Sequence, residues 1–322
     1  GSTAATRFPS SILSRATALK TFREAVQGER FTLTAELTLA RHTTADEVRR
    51  QADVLGRYVD AIQVTDNPYA WVQMSALSAA AILRNHGVDP LPILTCRDRN
   101  RIALQSELLG LRALGVTSLV LTRGQRVPKT HAVQTGGVFD LRGRELIALA
   151  ASFGGDDAAR PGPEFFIGTD ARVFRPNGAW PAESLAARAA AGARFLQTQL
   201  CFNVSVLRQY MQALVAARLT WRYSVIVSLA VLPSAVTAQW VKKNLAGSRI
   251  PKSVIRRLEQ APHPEQEGIR ICAEKMQEIA AVPGVSGINL MTTGDAAAIA
   301  AAREATGLSS SPKAKYCMHS CP

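Results

Sequence analysis

Apolar positions along the chain alternate between two periods, short β-branched runs and longer stretches spaced three and four apart. Phe31-Thr32-Leu33-Thr34-Ala35-Glu36-Leu37 reads as a strand, and Thr44-Ala45-Asp46-Glu47 then forms a capping box ahead of the helical pattern Val48, Ala52, Leu55. The alternation continues with a strand over 59–65 closed by Asp66-Asn67-Pro68, an alanine-rich helix over 71–85, a strand over 90–95, a helix over 101–114 and a strand over 117–122. A long loop with little pattern runs from 123 to 144, followed by a helix near 145–152. The second half predicts strands over 164–168, 194–200, 223–230 and 285–291, with helices over 181–191, 204–217, 234–244, 268–281 and 296–305. A basic connection joins the helices over 234–244 and 268–281.

Eight strands, each followed by a helix, predict an α/β chain of the (β/α)8 TIM-barrel class. The rival, a doubly wound open sheet, would carry a glycine-rich first turn, and here that turn reads Leu39-Ala40-Arg41-His42. The expected organisation is an N-terminal helical arm over 1–29, the barrel over 30–306 and a short polar C-terminal tail over 307–322.

Composition narrows the classes. With 322 residues, 47% hydrophobic and 20% charged, the chain has material for a large core and is no disordered polymer. No apolar stretch is long enough for a membrane span. Five cysteines, an odd number without a dense framework, point to a reduced, cytoplasmic setting. A net charge of +13 favours anionic partners, but no zinc-finger, RRM or basic-zipper motif accompanies it, so nucleic acid is not expected as a partner.

In a barrel of this kind, chemistry sits at the C-terminal ends of the strands. Those ends offer Glu36; Thr65 and Asp66; Thr95, Cys96 and Asp98; Arg123 and Gln125; Thr169 and Asp170; Gln197 and Gln199; Ser228; and Asn289, Thr292 and Thr293. A carboxylate such as Glu36 in an apolar strand is costly to bury ionised, which suits a general acid; a salt bridge to a mouth arginine is the structural alternative. Gln199 both donates and accepts, which suits the edge of a pterin or an isoalloxazine, or else a satisfied barrel interior. The histidines at 42, 86, 131, 263 and 319 show no metal-ligand spacing within the barrel, so no metal is expected there. In the tail, Cys317, His319 and Cys321 place three soft ligands close together, either an unligated tail or a contact with a metal or a partner.

Four blocks together resemble the methylenetetrahydrofolate reductase family. They are Thr34-Ala35-Glu36-Leu37, Pro92-Ile93-Leu94-Thr95-Cys96, Leu119-Val120-Leu121-Thr122-Arg123-Gly124-Gln125, and Gly192-Ala193 followed by Thr198-Gln199-Leu200-Cys201-Phe202. Thr65 fits the family's strand-two threonine. The resemblance implies reduction of 5,10-methylenetetrahydrofolate to 5-methyltetrahydrofolate with NAD(P)H, ordinarily by way of FAD. It casts Glu36 as proton donor, Gln199 as the pterin contact, and Thr65, Thr95, Arg123, Gln125 and Arg188 as the cofactor side, with Arg188 available to phosphate.

The sequence also departs from that pattern. FAD-binding members carry histidine where Ile93 stands and aspartate where Gln125 stands, and Ile167-Gly168-Thr169-Asp170-Ala171 lacks the strand-five motif. Leu37-Thr38-Leu39-Ala40 replaces the proline pair after the strand-one glutamate. The folate side is thus better kept than the flavin side. Three readings stay open: an FAD-dependent reductase, a flavin-independent reductase of the same substrate, and a non-catalytic barrel that binds folate or a partner. The assembly is left open between a homo-oligomer and a partner subunit.

Overall fold

The computed structural model describes residues 20–127, 134–153, 164–177, 182–291, 294–308 and 313. Thr292 and Thr293, His131, the first nineteen residues and the Cys317–His319–Cys321 tail lie outside them. Eight parallel strands close into a barrel in sequential order: β1 (Thr32–Glu36), β2 (Ala61–Val64), β3 (Pro90–Thr95), β4 (Ser118–Thr122), β5 (Phe166–Ala171), β6 (Ala193–Thr198), β7 (Ser224–Ala230) and β8 (Val285–Met291). The fold class expected from the alternating periods is the one observed.

Helices fill the crossovers: α2 (Ala45–Leu55), α3 (Ala76–Asn85), α4 (Arg101–Ala113), α5 (Gly143–Ala151), α6 (Glu183–Ala190) and α7 (Val204–Ala216), with α11 (Ala296–Thr306) after β8. Parallel neighbours need such crossovers, and the helices cover the outer faces of the strands. Alternate residues Leu33, Ala35, Leu37, Ile62, Val64, Leu94, Leu119 and Leu121 point outward into the helix layer and make the main core. The others point inward. The Thr44 capping box starts α2 as expected, its hydroxyl accepting from the Glu47 N–H.

An earlier helix, α1 (Phe22–Gln27), closes the N-terminal end of the barrel. Phe22 and Val26 pack with Leu91, Val120, Phe166, Phe195 and Ile226 as a second, interior cluster. Phe22 is fully buried, a burial worth about 1.5–3 kcal/mol. Its N–H donates to the buried Asp89 carboxylate (2.7 Å). Lys313 returns to the same place, its ammonium donating to the carbonyls of Val26 and Gly28 at the end of α1.

Three elements differ from the sequence reading. The helix expected from residue 71 begins at Ala76, where Ser75 accepts from the Ser78 N–H as N-cap. A tight turn over Pro68–Ala70 precedes it, and residues 71–75, expected as the start of the helix, lie outside any helix. The strand expected over 164–168 is Phe166–Ala171, because pairing Thr169 with Leu121 and Ala171 with Thr198 carries it three residues further. The basic connection after α8 (Ala235–Asn244) contains a helix of its own, α9 (Lys252–Gln260), before α10 (Pro264–Ala280). Its apolar signal is Val254, Ile255 and Leu258, of which Val254 and Leu258 are buried, and charged neighbours mask it in the sequence.

Candidate active site

The barrel interior is layered. Above the apolar plug lies a tier of amides and hydroxyls, Thr34, Gln63, Gln197 and Asn289, all buried. Thr34 Oγ1 donates to Asn289 Oδ1 (2.8 Å), and Asn289 Nδ2 donates to Gln63 Oε1 (3.0 Å). Gln63 and Gln197 exchange amide bonds of 2.6 and 2.9 Å across the lumen. The tier is neutral and internally satisfied, so it holds its shape without bound water or ions.

Two residues beyond this floor, the same inward register puts Glu36 at the end of β1 and Gln199 just past β6. Glu36 is 7% exposed. The Gln199 side chain passes Gly247, in the loop after α8, where a Cβ would stand 3.5 Å from its Cγ. The two side chains overlook one floor from opposite sides of the mouth, an acid and a neutral donor–acceptor.

The loop after β2 forms the wall beside Glu36. Asn67, Tyr69 and Ala70 all have positive φ (45°, 56° and 63°), a costly run for residues with a Cβ. Several bonds hold it. Arg97 Nη2 donates to the Asn67 carbonyl (2.8 Å), the Gln73 N–H donates to Asn67 Oδ1 (3.2 Å), and Gln73 Nε2 donates to the Thr65 carbonyl (2.6 Å). The turn presents Tyr69 to Glu36: burial first, and then the Glu36 charge, raise the phenol above its ordinary value. Tyr69 also meets Trp240 of α8 edge-on at 5.4 Å and Trp71 at 5.6 Å, an aromatic rim on that side of the mouth.

At the end of β3, Thr95 is held from below. Asp66, 5% exposed, accepts from the Thr95 N–H (2.8 Å) and Oγ1 (3.0 Å) and takes a two-pronged bond from Arg99 (2.8 and 3.0 Å). At the end of β4, Arg123 is exposed and stacks over the Phe139 ring at 4.4 Å, and Gln125 beside it is exposed. Gly124 between them has φ +80°, and a Cβ there would stand 3.1 Å from the Cβ atoms of Thr95 and Arg97.

The family model for methylenetetrahydrofolate reductase matches residues 21–307. The chain belongs to the methylenetetrahydrofolate reductase family. No curated protein sequence matches it. Among solved structures, an uncharacterized Clostridium thermocellum protein described as binding two copies of 5-methyl-5,6,7,8-tetrahydrofolic acid has a TM-score of 0.58 at 11% identity, over 88% of this chain and 96% of that one. The coenzyme F420-dependent tetrahydromethanopterin reductase of Methanopyrus kandleri has a TM-score of 0.51 at 10% identity, over 86% of this chain and 97% of that one. At such identities these likenesses speak for the fold alone.

The family resemblance placed Thr65, Thr95, Arg123, Gln125 and Arg188 on the cofactor side; Thr95 lies against the Gly124 turn between Arg123 and Gln125, whereas Thr65 and Arg188 are bonded within the protein. Thr95 is buried against Asp66, and Thr65 donates its hydroxyl to Gln73 Oε1 (3.2 Å). Arg123 lies on Phe139 and Gln125 faces outward. Arg188 is the clearest departure: its Nη1 donates to Thr169 Oγ1 (3.1 Å) and to the Asp170 carbonyl (2.6 Å), which ties it to the C-terminal end of β5. Ile93 points inward against the apolar plug, where family members that bind FAD carry histidine.

Other residues of the site escaped the sequence reading. Gln63 sits mid-strand with no motif around it, and only its opposite, Gln197, identifies it. Tyr69 and Trp240 are distant in sequence, and Trp71 had been read as the first residue of a helix. Asp66 was among the strand-end candidates, but nothing in the sequence marked its partner Arg99. Among the described residues, no three of His, Cys, Asp and Glu are grouped to hold a metal ion, and no helix is long and apolar enough to cross a membrane.

Proposed function

We propose that this chain reduces 5,10-methylenetetrahydrofolate to 5-methyltetrahydrofolate, with NAD(P)H giving hydride directly to the folate. The observation that carries the reading is Glu36, a buried carboxyl at a strand's C-terminal end over a neutral amide floor. Its proton goes to the folate nitrogen that leaves the one-carbon bridge as the C–N bond breaks. The resulting iminium carbon accepts hydride from the nicotinamide, and NAD(P)+ departs; one proton and one hydride enter, and one C–N bond is exchanged for a C–H bond. Gln199 pairs with the pterin edge, and Tyr69 keeps water from the Glu36 side. No step is routed through FAD, because Ile93 and Gln125 stand where family members that bind FAD carry histidine and aspartate. The folate ligand named for the C. thermocellum barrel of similar fold supports the choice of substrate.

The test is an assay of the purified chain with methylenetetrahydrofolate and either reduced nicotinamide, with and without added FAD. The expected outcome is nicotinamide oxidation without flavin, falling by about 10²–10⁴-fold in Glu36→Gln, while folate binding persists. A flavin spectrum retained through gel filtration would overturn direct transfer. Silence with both donors, with and without FAD, would leave a barrel that binds folate without turning it over.

A further inference from the structure

At the N-terminal end of the barrel, the chain between α7 and β7 folds into a short turn over Leu219–Trp221. Arg218 before it takes a left-handed backbone (φ 55°), and its N–H donates to the Val215 carbonyl (2.8 Å). Leu219 and Tyr223 are buried, and the Tyr223 hydroxyl donates to the Leu185 carbonyl (2.6 Å). Between these two anchors Trp221 stands 82% exposed, the most of any large apolar side chain among the described residues. Indoles are ordinarily well buried, so one held out in solvent leaves apolar area that a ligand would cover.

The indole borders a hollow of about 300 Å³ that Ala189, Arg194 and Arg222 also line, a volume at the lower end of small-ligand sites. Arg218 is not in that lining; its guanidinium lies over the Trp221 ring at 5.9 Å. Arg194 also opens into a second hollow of about 140 Å³, where Arg23 and Gln27 of α1 meet Glu164. Arg194 Nη1 donates to the carbonyls of Ala189 and Ala193 (3.1 and 3.2 Å), and Arg23 Nη1 donates to the Glu164 carbonyl (3.3 Å). Glu164 is the one acid in either lining, and no described carboxylate pairs with Arg23, Arg194, Arg218 or Arg222. An open aromatic ring among unpaired guanidinium groups fits a ligand that is flat at one end and anionic at the other.

We propose that these two hollows bind a nucleoside diphosphate, its base on the Trp221 ring and its phosphates among Arg222, Arg194 and Arg23. The site is separate from the mouth: Arg194 stands at the start of β6 and Gln199 just past its end, about 17 Å along the strand. It is independent of the folate reading and of the nicotinamide which that reading brings to the mouth. Calorimetric titrations of the full chain would use ADP, adenosine and inorganic pyrophosphate. The variants are Trp221→Ala, Trp221→Phe and Arg194→Gln/Arg222→Gln. A control, Lys242→Gln/Lys252→Gln, removes equal charge from α8 and α9.

ADP is expected to bind the parent and the control alike, and more weakly as salt is added. Trp221→Ala should weaken ADP by about tenfold, Trp221→Phe by less, and the arginine variant by about tenfold or more. Adenosine should bind less tightly than ADP and lose affinity only when the ring at 221 is removed; pyrophosphate should lose it only with the arginines. ADP that does not bind the parent, or that binds every variant equally and so sits elsewhere, would overturn the site. Pyrophosphate as tight as ADP, with Trp221→Ala silent, would overturn the nucleotide and leave an anion patch.

Discussion

Gln63 and Gln197, on strands opposite one another, join side-chain amides across the barrel lumen through two bonds of 2.6 and 2.9 Å. The pair closes a tier in which each polar group answers another, and the tier forms the floor of the site. Replacing one member, as in Gln197→Leu, leaves the Gln63 Nε2 donor unpaired in the interior, while its Oε1 keeps the bond from Asn289. That substitution should cost about 1–3 kcal/mol by urea denaturation. In a double-mutant cycle Gln63→Leu/Gln197→Leu should cost less than the sum of the single changes. Additivity would show that the pair is not coupled.

Gly168 of β5 permits the apolar plug below that floor. A Cβ there would come within 2.2 Å of the Phe195 ring, which is itself packed by Phe22 at 5.1 Å and Phe166 at 5.1 Å. Gly168→Ala should therefore destabilise the barrel by about 1–3 kcal/mol or more. Adding Phe195→Leu should recover part of the loss. The thermal midpoints of the two variants decide the matter, and no recovery would mean that the clash lies elsewhere.

Asp89 makes stability depend on pH. Burial pushes its carboxyl up to about 6 from the ordinary 3.8, against the lowering effects of the Phe22 N–H and of Arg84. Between those values the folded chain binds a proton that the unfolded chain releases, so this group's contribution is present below about pH 4 and is lost as pH rises through about 6. Asp89→Asn should remove that loss, a gain on the order of 3 kcal/mol at pH 7.5 relative to pH 4. Unfolding free energies of parent and variant at the two pH values give the comparison; parallel profiles would contradict it.

Asp66 and Arg99 form a buried pair that also anchors Thr95. Asp66→Ala leaves the guanidinium only its longer pair to Glu107 (3.7 Å) and frees the Thr95 N–H, and should cost about 3–5 kcal/mol. Arg99→Met leaves Asp66 its two bonds from Thr95 and should cost less. A ranking with Arg99→Met as the worse change, measured by chemical denaturation, would place the energy in the ion pair rather than in the anchoring of Thr95.

Much of this architecture was readable in the residues alone. Period-two runs and capping boxes mark eight strand–helix units, because backbone geometry maps those spacings onto faces wherever they occur. The strand-end rule then pointed to Glu36, Thr95, Gln197, Gln199 and Asn289 without knowledge of any contact. Folding decided what no spacing encodes. Closure of the barrel set Gln63 against Gln197, 134 residues apart. Folding tied Arg188 to Thr169 and the Asp170 carbonyl at the end of β5, though its charge alone had marked it for phosphate. The turn over Pro68–Ala70 carried Trp71 out of its expected helix and set Tyr69 against Trp240, because bonds from Arg97 and Gln73 outweigh local preference. Periodicity is a property of neighbours along the chain and survives in the sequence; the pairing of charges and amides depends on closing the barrel, and only the tertiary structure supplies it.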